Sequence, residues 1–121
     1  MKILITGSAG YIGGCCYEFL KKKFIVYGLD KVNPILKKQK NFFLCDLNNK
    51  SYLEKIFIKV KPNVVIHLAG QSTLDGIGNK KEYKLNNLKA TNTLINVIKK
   101  NNISFLIFSS TAAVYKKNNS F

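Results

Sequence analysis

The sequence predicts a doubly wound α/β fold: one parallel sheet in strand order 3-2-1-4-5 between two layers of helices. Three observations predict it. The chain opens with an apolar strand (Lys2 to Ile5), a turn carrying Gly7, Gly10 and Gly13, and an amphipathic helix. Short apolar runs such as Val64-Val-Ile-His-Leu68 then alternate with segments of helical periodicity, the pattern of strands buried on both faces and joined by helical crossovers. The second of these strands, Phe24 to Leu29, ends in an acid, Asp30.

The glycine turn sets the site. A strand that turns sharply into a helix aims unpaired helix N-terminal amides at one point, where the helix dipole is also positive, and such a point suits a pyrophosphate. The first glycine permits the turn, the second lets backbone approach phosphate, and the third lets the helix pack closely. Glycines alone mark ordinary turns too. Here they follow a strand, open a helix and precede a second strand ending in Asp30, the context of a dinucleotide site. A carboxylate there can accept hydrogen bonds from both hydroxyls of an adenosine ribose and repels a 2′-phosphate, although Lys31 beside it softens that preference. The alternative is a strand-end acid that only caps a turn.

The elements follow in order. Tyr11 to Lys23 reads as the first helix, with Ile12, Cys15, Cys16, Phe19 and Leu20 on its apolar face and Lys21 to Lys23 in its last turn. Val32 to Lys40 is polar, contains Pro34, and reads as a loop or short helix. Asn41 to Cys45 is the third strand, ending in Asp46-Leu47, after which Asp46 or Asn48 is placed to cap a helix over Ser51 to Val60. Leu53, Ile56, Phe57 and Val60 form that helix's apolar face, and Pro62 stops it. The fourth strand ends at Leu68 with Ala69-Gly70, small residues that let a ligand approach backbone. His67, inside the apolar run, reads as a packing histidine rather than a general base. Gln71 to Lys81 is a glycine-containing loop with room to line a cleft. Glu82 to Lys100 reads as one long helix with a stripe of Leu85, Leu88, Thr91, Leu94, Ile95 and Ile98, interrupted by Asn86-Asn87. Ile103 to Phe108 is the fifth strand, followed by the hydroxyl-rich Ser109-Ser110-Thr111.

Bulk properties bound the rest. A chain of 121 residues has room for one domain. No apolar run is long enough to span a bilayer, and the start lacks the pattern of a secretory signal, so no membrane partner is expected and a cytoplasmic location is the simplest. The net charge of +14 comes from twenty lysines and no arginine, spread over helix ends and loops. Sequence-specific nucleic-acid readers lean on arginine, so a specific nucleic-acid role is disfavoured, leaving only non-specific phosphate attraction at low salt. One histidine and six scattered acids give no metal constellation. Cys15, Cys16 and Cys45 are odd in number without a C-x-x-C, and read as small buried or half-buried residues.

The run Thr6-Gly-Ser-Ala-Gly-Tyr-Ile-Gly13 is the T-G-x-x-G-x-x-G variant, and with Tyr11-Ile12 inside it the chain resembles the extended branch of the short-chain dehydrogenase/reductase superfamily, the NAD-dependent sugar-nucleotide epimerases and dehydratases. The resemblance implies a Rossmann-type domain with NAD as cofactor and a nucleotide-sugar substrate. It places Gly7, Ala9, Gly10, Tyr11, Ile12 and Gly13 at the pyrophosphate and Asp30 at the ribose. Asp46 takes the exocyclic amine of adenine and Leu47 packs on the ring. Leu68, Ala69 and Gly70 lie against the phosphates and nicotinamide ribose, and Asn86 reaches the cofactor or the active-site strand. The alternative for Asn86 is a solvated residue in an asparagine-rich chain. Phe108-Ser-Ser-Thr-Ala-Ala-Val-Tyr115 is similar to the active-site strand of UDP-glucose 4-epimerases, which puts Ser109 at the cofactor and makes Thr111 the hydroxyl that bonds the reacting sugar oxygen.

The family's chemistry also requires a Tyr-x-x-x-Lys pair, whose tyrosine removes a hydroxyl proton while NAD takes hydride from the same carbon. Tyr83 is followed four positions on by Asn87, and Tyr115 by Asn119. The expectation is therefore an N-terminal portion that binds NAD without turnover alone, and whose fifth strand is a sheet edge with exposed apolar side chains. For partners, the resemblance implies a homodimer of the full-length protein as an open expectation. The competing expectation is a non-catalytic nucleotide-binding or regulatory module using the same cleft.

Overall fold

The computed structural model describes residues 1–35, 38–71 and 80–110. Five parallel strands, β1 (Lys2–Thr6), β2 (Ile25–Asp30), β3 (Phe42–Leu44), β4 (Val64–His67) and β5 (Phe105–Phe108), form one sheet in the order β3-β2-β1-β4-β5, as the sequence predicts. The register puts Thr6 beside Leu29 on one side and His67 on the other, so the carboxyl ends of the central strands finish level. The crossover direction reverses between β1 and β4, the place where such sheets bind ligands.

The sheet has two differently covered faces. Leu4, Leu29 and Val65 point toward α2 (Lys50–Val60) and α4 (Ala90–Lys100), which close a core with Leu53, Ile56, Phe57, Val60, Leu94, Val97 and Ile98. The α2 stripe is the one its periodicity predicts. Ile3, Ile5, Val26 and Ile66 point the other way, toward α1 (Tyr11–Leu20).

The rotation of α1 differs from the expected one. Its buried residues are Gly13 and Tyr17, with Cys16 and Leu20 half-buried; Ile12 (63% exposed), Cys15 and Phe19 (69%) face outward. The cause is Gly13. A Cβ there would overlap the Gly7 carbonyl and come within 2.8 Å of Ser8 Cα, so the helix lies directly on the turn before it, which fixes its rotation. Tyr17 then goes inward, its hydroxyl accepting from Asn41 N–H (3.2 Å). The helix ends at Leu20, so Lys21 to Lys23 follow it rather than occupy its last turn.

The segment read as one long helix is three pieces: α3 (Lys80–Tyr83), a π-helical turn (Lys84–Lys89) and α4. Lys80 and Lys81 thus belong to helix, not to the loop before it; residues 72–79 of that loop lie outside the described residues. The π turn breaks the 3.6 period, and a stripe drawn through it at constant period fails: Leu85 and Leu88 are exposed, and burial resumes at Ala90, Leu94, Val97 and Ile98. Neither Asp46 nor Asn48 caps α2. Asn49 does, its Oδ1 accepting from Tyr52 N–H (3.2 Å), and Lys61 closes the helix at φ +50° ahead of Pro62. All four side chains of β5 are exposed, from Leu106 at 38% to Phe105 at 66%.

Candidate cofactor site

The cleft forms where β1 and β4 diverge. Gly7 leaves β1 at φ +76°, and a Cβ on it would stand 2.5 Å from Ala69 N and 2.7 Å from Leu68 C. Only glycine satisfies both demands. Gly7 N–H donates to Leu29 O (2.9 Å), which ties the turn to β2, and Gly10 caps α1 in extended conformation (φ −72°, ψ 170°) without a side-chain bond. The first helical amides are left pointing outward, the arrangement that receives an anion.

A cavity of about 240 Å³ opens beside this turn, lined by Gly7, Gly10, Leu29, Asp30, Lys31, Cys45, Asp46, Leu47, Leu68, Ala69, Gly70, Gln71, Asn86 and Ala90. The structure thus brings Gly7, Gly10, Asp30, Asp46, Leu47, Leu68, Ala69, Gly70 and Asn86 together, from five separate stretches of chain. Asp30 is held by backbone: Oδ2 accepts from Ala9 N–H (3.0 Å) and Oδ1 from Val32 N–H (3.3 Å). Asp46 Oδ1 accepts from the backbone and side-chain N–H of Asn48 (2.8 and 3.1 Å), while Leu47 is buried beside it. Burial, and secondarily the Asp46 carboxylate, pushes the Cys45 thiol up to about 11, so it lines the cleft as a protonated, unreactive group.

The far wall is built by amides. Asn87 holds both backbone groups of Gln71: its Oδ1 accepts from Gln71 N–H (2.6 Å) and its Nδ2 donates to Gln71 O (3.0 Å). Asn86 Nδ2 donates to Gln71 Oε1 (2.8 Å), and Asn86 Oδ1 accepts from Lys31 Nζ (3.2 Å) across the cleft mouth. Asn86 is therefore engaged rather than solvated. Gln71 and the clamping role of Asn87 are additions to the sequence reading. Adjacent asparagines in an asparagine-rich chain gave no distinguishing signal, and the π turn that aims both at Gln71 has no sequence signature.

Five of the expected residues lie apart from the cleft lining. Tyr11 (77% exposed) faces a second hollow of about 420 Å³ across the glycine turn, between α1 and the β2–β3 connection. Ile12 is exposed on α1, Gly13 is buried against the turn, and Ala9 contributes its amide to Asp30. Ser109 is exposed, its N–H donating to His67 O (3.1 Å). Thr111 lies outside the described residues.

His67 is a packing histidine. It is 2% exposed, with Nδ1 2.6 Å from Thr6 Oγ1 and Nε2 2.9 Å from Thr91 Oγ1, and its ring lies 5.4 Å from that of Phe108. Burial lowers its pKa to about 4. A neutral imidazole has one N–H and one lone pair, so one threonine hydroxyl donates to the ring and the other accepts. This chain of bonds ties β1 through β4 to α4, beneath the cleft.

The model of the NAD dependent epimerase/dehydratase family matches residues 3–121. The chain belongs to that family. It is 37% identical to a UDP-glucose 4-epimerase of Pisum sativum over 94% of its length and 35% identical to one of Haemophilus influenzae over 95%. It spans 37% and 38% of those relatives' own lengths. Among solved structures, it superposes on the Thermotoga maritima UDP-glucose 4-epimerase with UDP-glucose (TM-score 0.89, 26% identity, all of this chain and 41% of that one). It also superposes on the Bifidobacterium longum enzyme in complex with NAD⁺ and UDP (TM-score 0.85, 29% identity, 99% of this chain and 40% of that one). Among the described residues, no helix is long and apolar enough to cross a membrane, and no three His, Cys, Asp or Glu side chains are grouped to hold a metal.

Proposed function

We propose that this chain is the NAD-binding portion of a sugar-nucleotide epimerase or dehydratase of the UDP-glucose 4-epimerase type, working by transient hydride transfer at the sugar C4. The observation that carries the reading is the meeting of Gly7, Gly10, Asp30, Asp46 and Leu47 around one cleft at the point where the sheet reverses direction. The residues fit the cofactor. Gly7 and Gly10 leave the backbone bare where a pyrophosphate would lie, the amino end of α1 supplies amides and a positive dipole end, and the Asp30 carboxylate suits a ribose with a free 2′-hydroxyl. Asp46 and Leu47 offer an acceptor and an apolar face to adenine. NAD, when bound, supplies the hydride acceptor and donor. The chain's own residues orient it and shield its adenosine end, and Thr111 is assigned the hydrogen bond to the sugar oxygen by its place in the Ser109–Tyr115 motif.

Two tyrosines are followed four positions later by lysine, Tyr17 by Lys21 and Tyr27 by Lys31. Tyr17 is buried in α1 with its hydroxyl on Asn41 N–H, and Tyr27 lies inside β2 stacked on Phe43, so neither tyrosine lines the cleft. The proposed property of this polypeptide on its own is therefore cofactor binding without turnover, which is also what favours the second reading, a nucleotide-binding module without catalysis. An in-frame Tyr-x-x-x-Lys in the coding DNA beyond Phe121 supports the enzyme; a stop without one supports the module. Calorimetric titration with NAD and NADP tests the cleft. NAD is expected to bind more tightly, tighter NADP binding overturns the role of Asp30, and no binding of either overturns the reading. A mixture with UDP-glucose and NAD⁺ is expected to yield no UDP-galactose.

A further inference from the structure

Gln39 lies in the β2–β3 connection, where nothing in the sequence pattern singles it out, yet it is only 7% exposed. Its Nε2 donates to the carbonyl of Ser8 at 2.6 Å in a buried contact. That carbonyl and the Ala9 N–H belong to the same peptide unit, and the Ala9 N–H donates to Asp30 Oδ2 at 3.0 Å. One peptide plane in the middle of the glycine turn is thus gripped at its oxygen by Gln39 and at its hydrogen by Asp30. A second observation shows that the sheet makes room for this grip. A Cβ on Gly28, inside β2, would overlap Gln39 Oε1 and stand 2.5 Å from Ser8 Oγ. Gly28 has no left-handed backbone to explain it; the side chain it lacks is the space the amide of Gln39 uses. Gln39 Oε1 has no hydrogen-bond partner among the described residues, a cost that an apolar filler of the same shape would not carry, so packing alone does not account for the amide.

We infer that Gln39 is a positioning residue of the glycine turn: by fixing the Ser8–Ala9 peptide it aims the Ala9 N–H, which in turn holds the Asp30 carboxylate in the orientation that selects an unphosphorylated adenosine ribose. The inference rests on the reading of the cleft as an NAD site. It makes selectivity depend on a residue outside the cleft lining, acting through one peptide plane.

The test is Gln39→Met, which keeps the length and removes the donor. In the cofactor-free protein, hydrogen exchange of the Ala9 amide should accelerate, because its peptide plane is no longer fixed. In titrations the Kd for NAD should rise about tenfold, the scale of a buried hydrogen bond whose acceptor is left unpaired, and the preference for NAD over NADP should narrow. Phe57→Leu, on the opposite face of the sheet, serves as a control: it should lower Tm without changing Ala9 exchange or the NAD-to-NADP ratio. Should Gln39→Met fail to fold, Gln39→Asn, one methylene too short to reach Ser8, is expected to give the same shifts. Lower Tm with Ala9 exchange and the cofactor ratio both unchanged would make Gln39 a core filler and overturn the inference. Faster Ala9 exchange in a wild-type background that binds no NAD would refute the functional reading and leave the positioning role standing.

Discussion

The two walls of the cleft are built on different principles. The wall beside β1 and β2 is set by backbone: Gly7 at φ +76° against Leu68 and Ala69, Gly7 N–H on Leu29 O, and Asp30 held by the amides of Ala9 and Val32. The wall beyond β4 is set by side-chain amides, with Asn87 clamping the Gln71 backbone and Asn86 linking Gln71 to Lys31. Backbone geometry offers no alternative at a given position, whereas an amide pair can be loosened one bond at a time. The first wall should therefore fail abruptly when altered and the second by degrees.

The largest effect should come from Gly7→Val. It combines a strained backbone conformation with a clash against fixed backbone, and should lower stability by about 3 kcal/mol or more and abolish NAD binding, read by urea denaturation and calorimetry. A folded variant that still binds NAD would break the contrast. Next is acidification. His67 has its pKa depressed to about 4 in the folded chain against an ordinary value near 6.5, so folding favours the neutral ring. Its contribution is complete above about pH 6.5 and is lost as the pH falls toward 4, by up to about 3 kcal/mol. His67→Gln should flatten that part of the stability–pH curve, measured as the urea midpoint between pH 7 and pH 4.5. Asn87→Ala removes both bonds to Gln71 and should raise the Kd for NAD about tenfold with a stability loss of about 1–2 kcal/mol. The smallest effect belongs to Lys31→Ala. Its bond to Asn86 is exposed, and the Kd should move less than about threefold. If Lys31→Ala weakened binding more than Asn87→Ala did, the mouth rather than the clamp would govern the second wall.

The first wall is also the one the sequence shows. Glycine spacing, a strand before and after, and an acid at a strand end are local patterns whose physical causes are local, and the strand order follows from the same alternation. The second wall joins residues far apart in the chain through amide pairs that any asparagine could make, at a π turn that no propensity announces. The rotation of α1 was illegible for a related reason. Periodicity offered a face with Ile12, Cys15 and Phe19, but a glycine contact at Gly13 decided the rotation and buried Tyr17 instead. Gln39 had no visible signal because, among the described residues, its hydrogen-bond partner is one carbonyl in the glycine turn, brought close by the tertiary fold.

The exposed strand β5 has a consequence for handling this protein. Phe105 and Ile107, both more than half exposed, lie with Val64 on the α1 side of a sheet whose order ends at this strand. What opposes encounter between such surfaces is colloidal: a formal charge of +14 gives each molecule a mutual repulsion that reaches roughly 30 Å at 0.01 M salt and only about 8 Å at 0.15 M. The protein should therefore stay dispersed in dilute buffer and salt out early, with turbidity onset moving to lower protein concentration as ionic strength rises. Phe105→Lys, by adding charge at the sheet's last strand, should move that onset back.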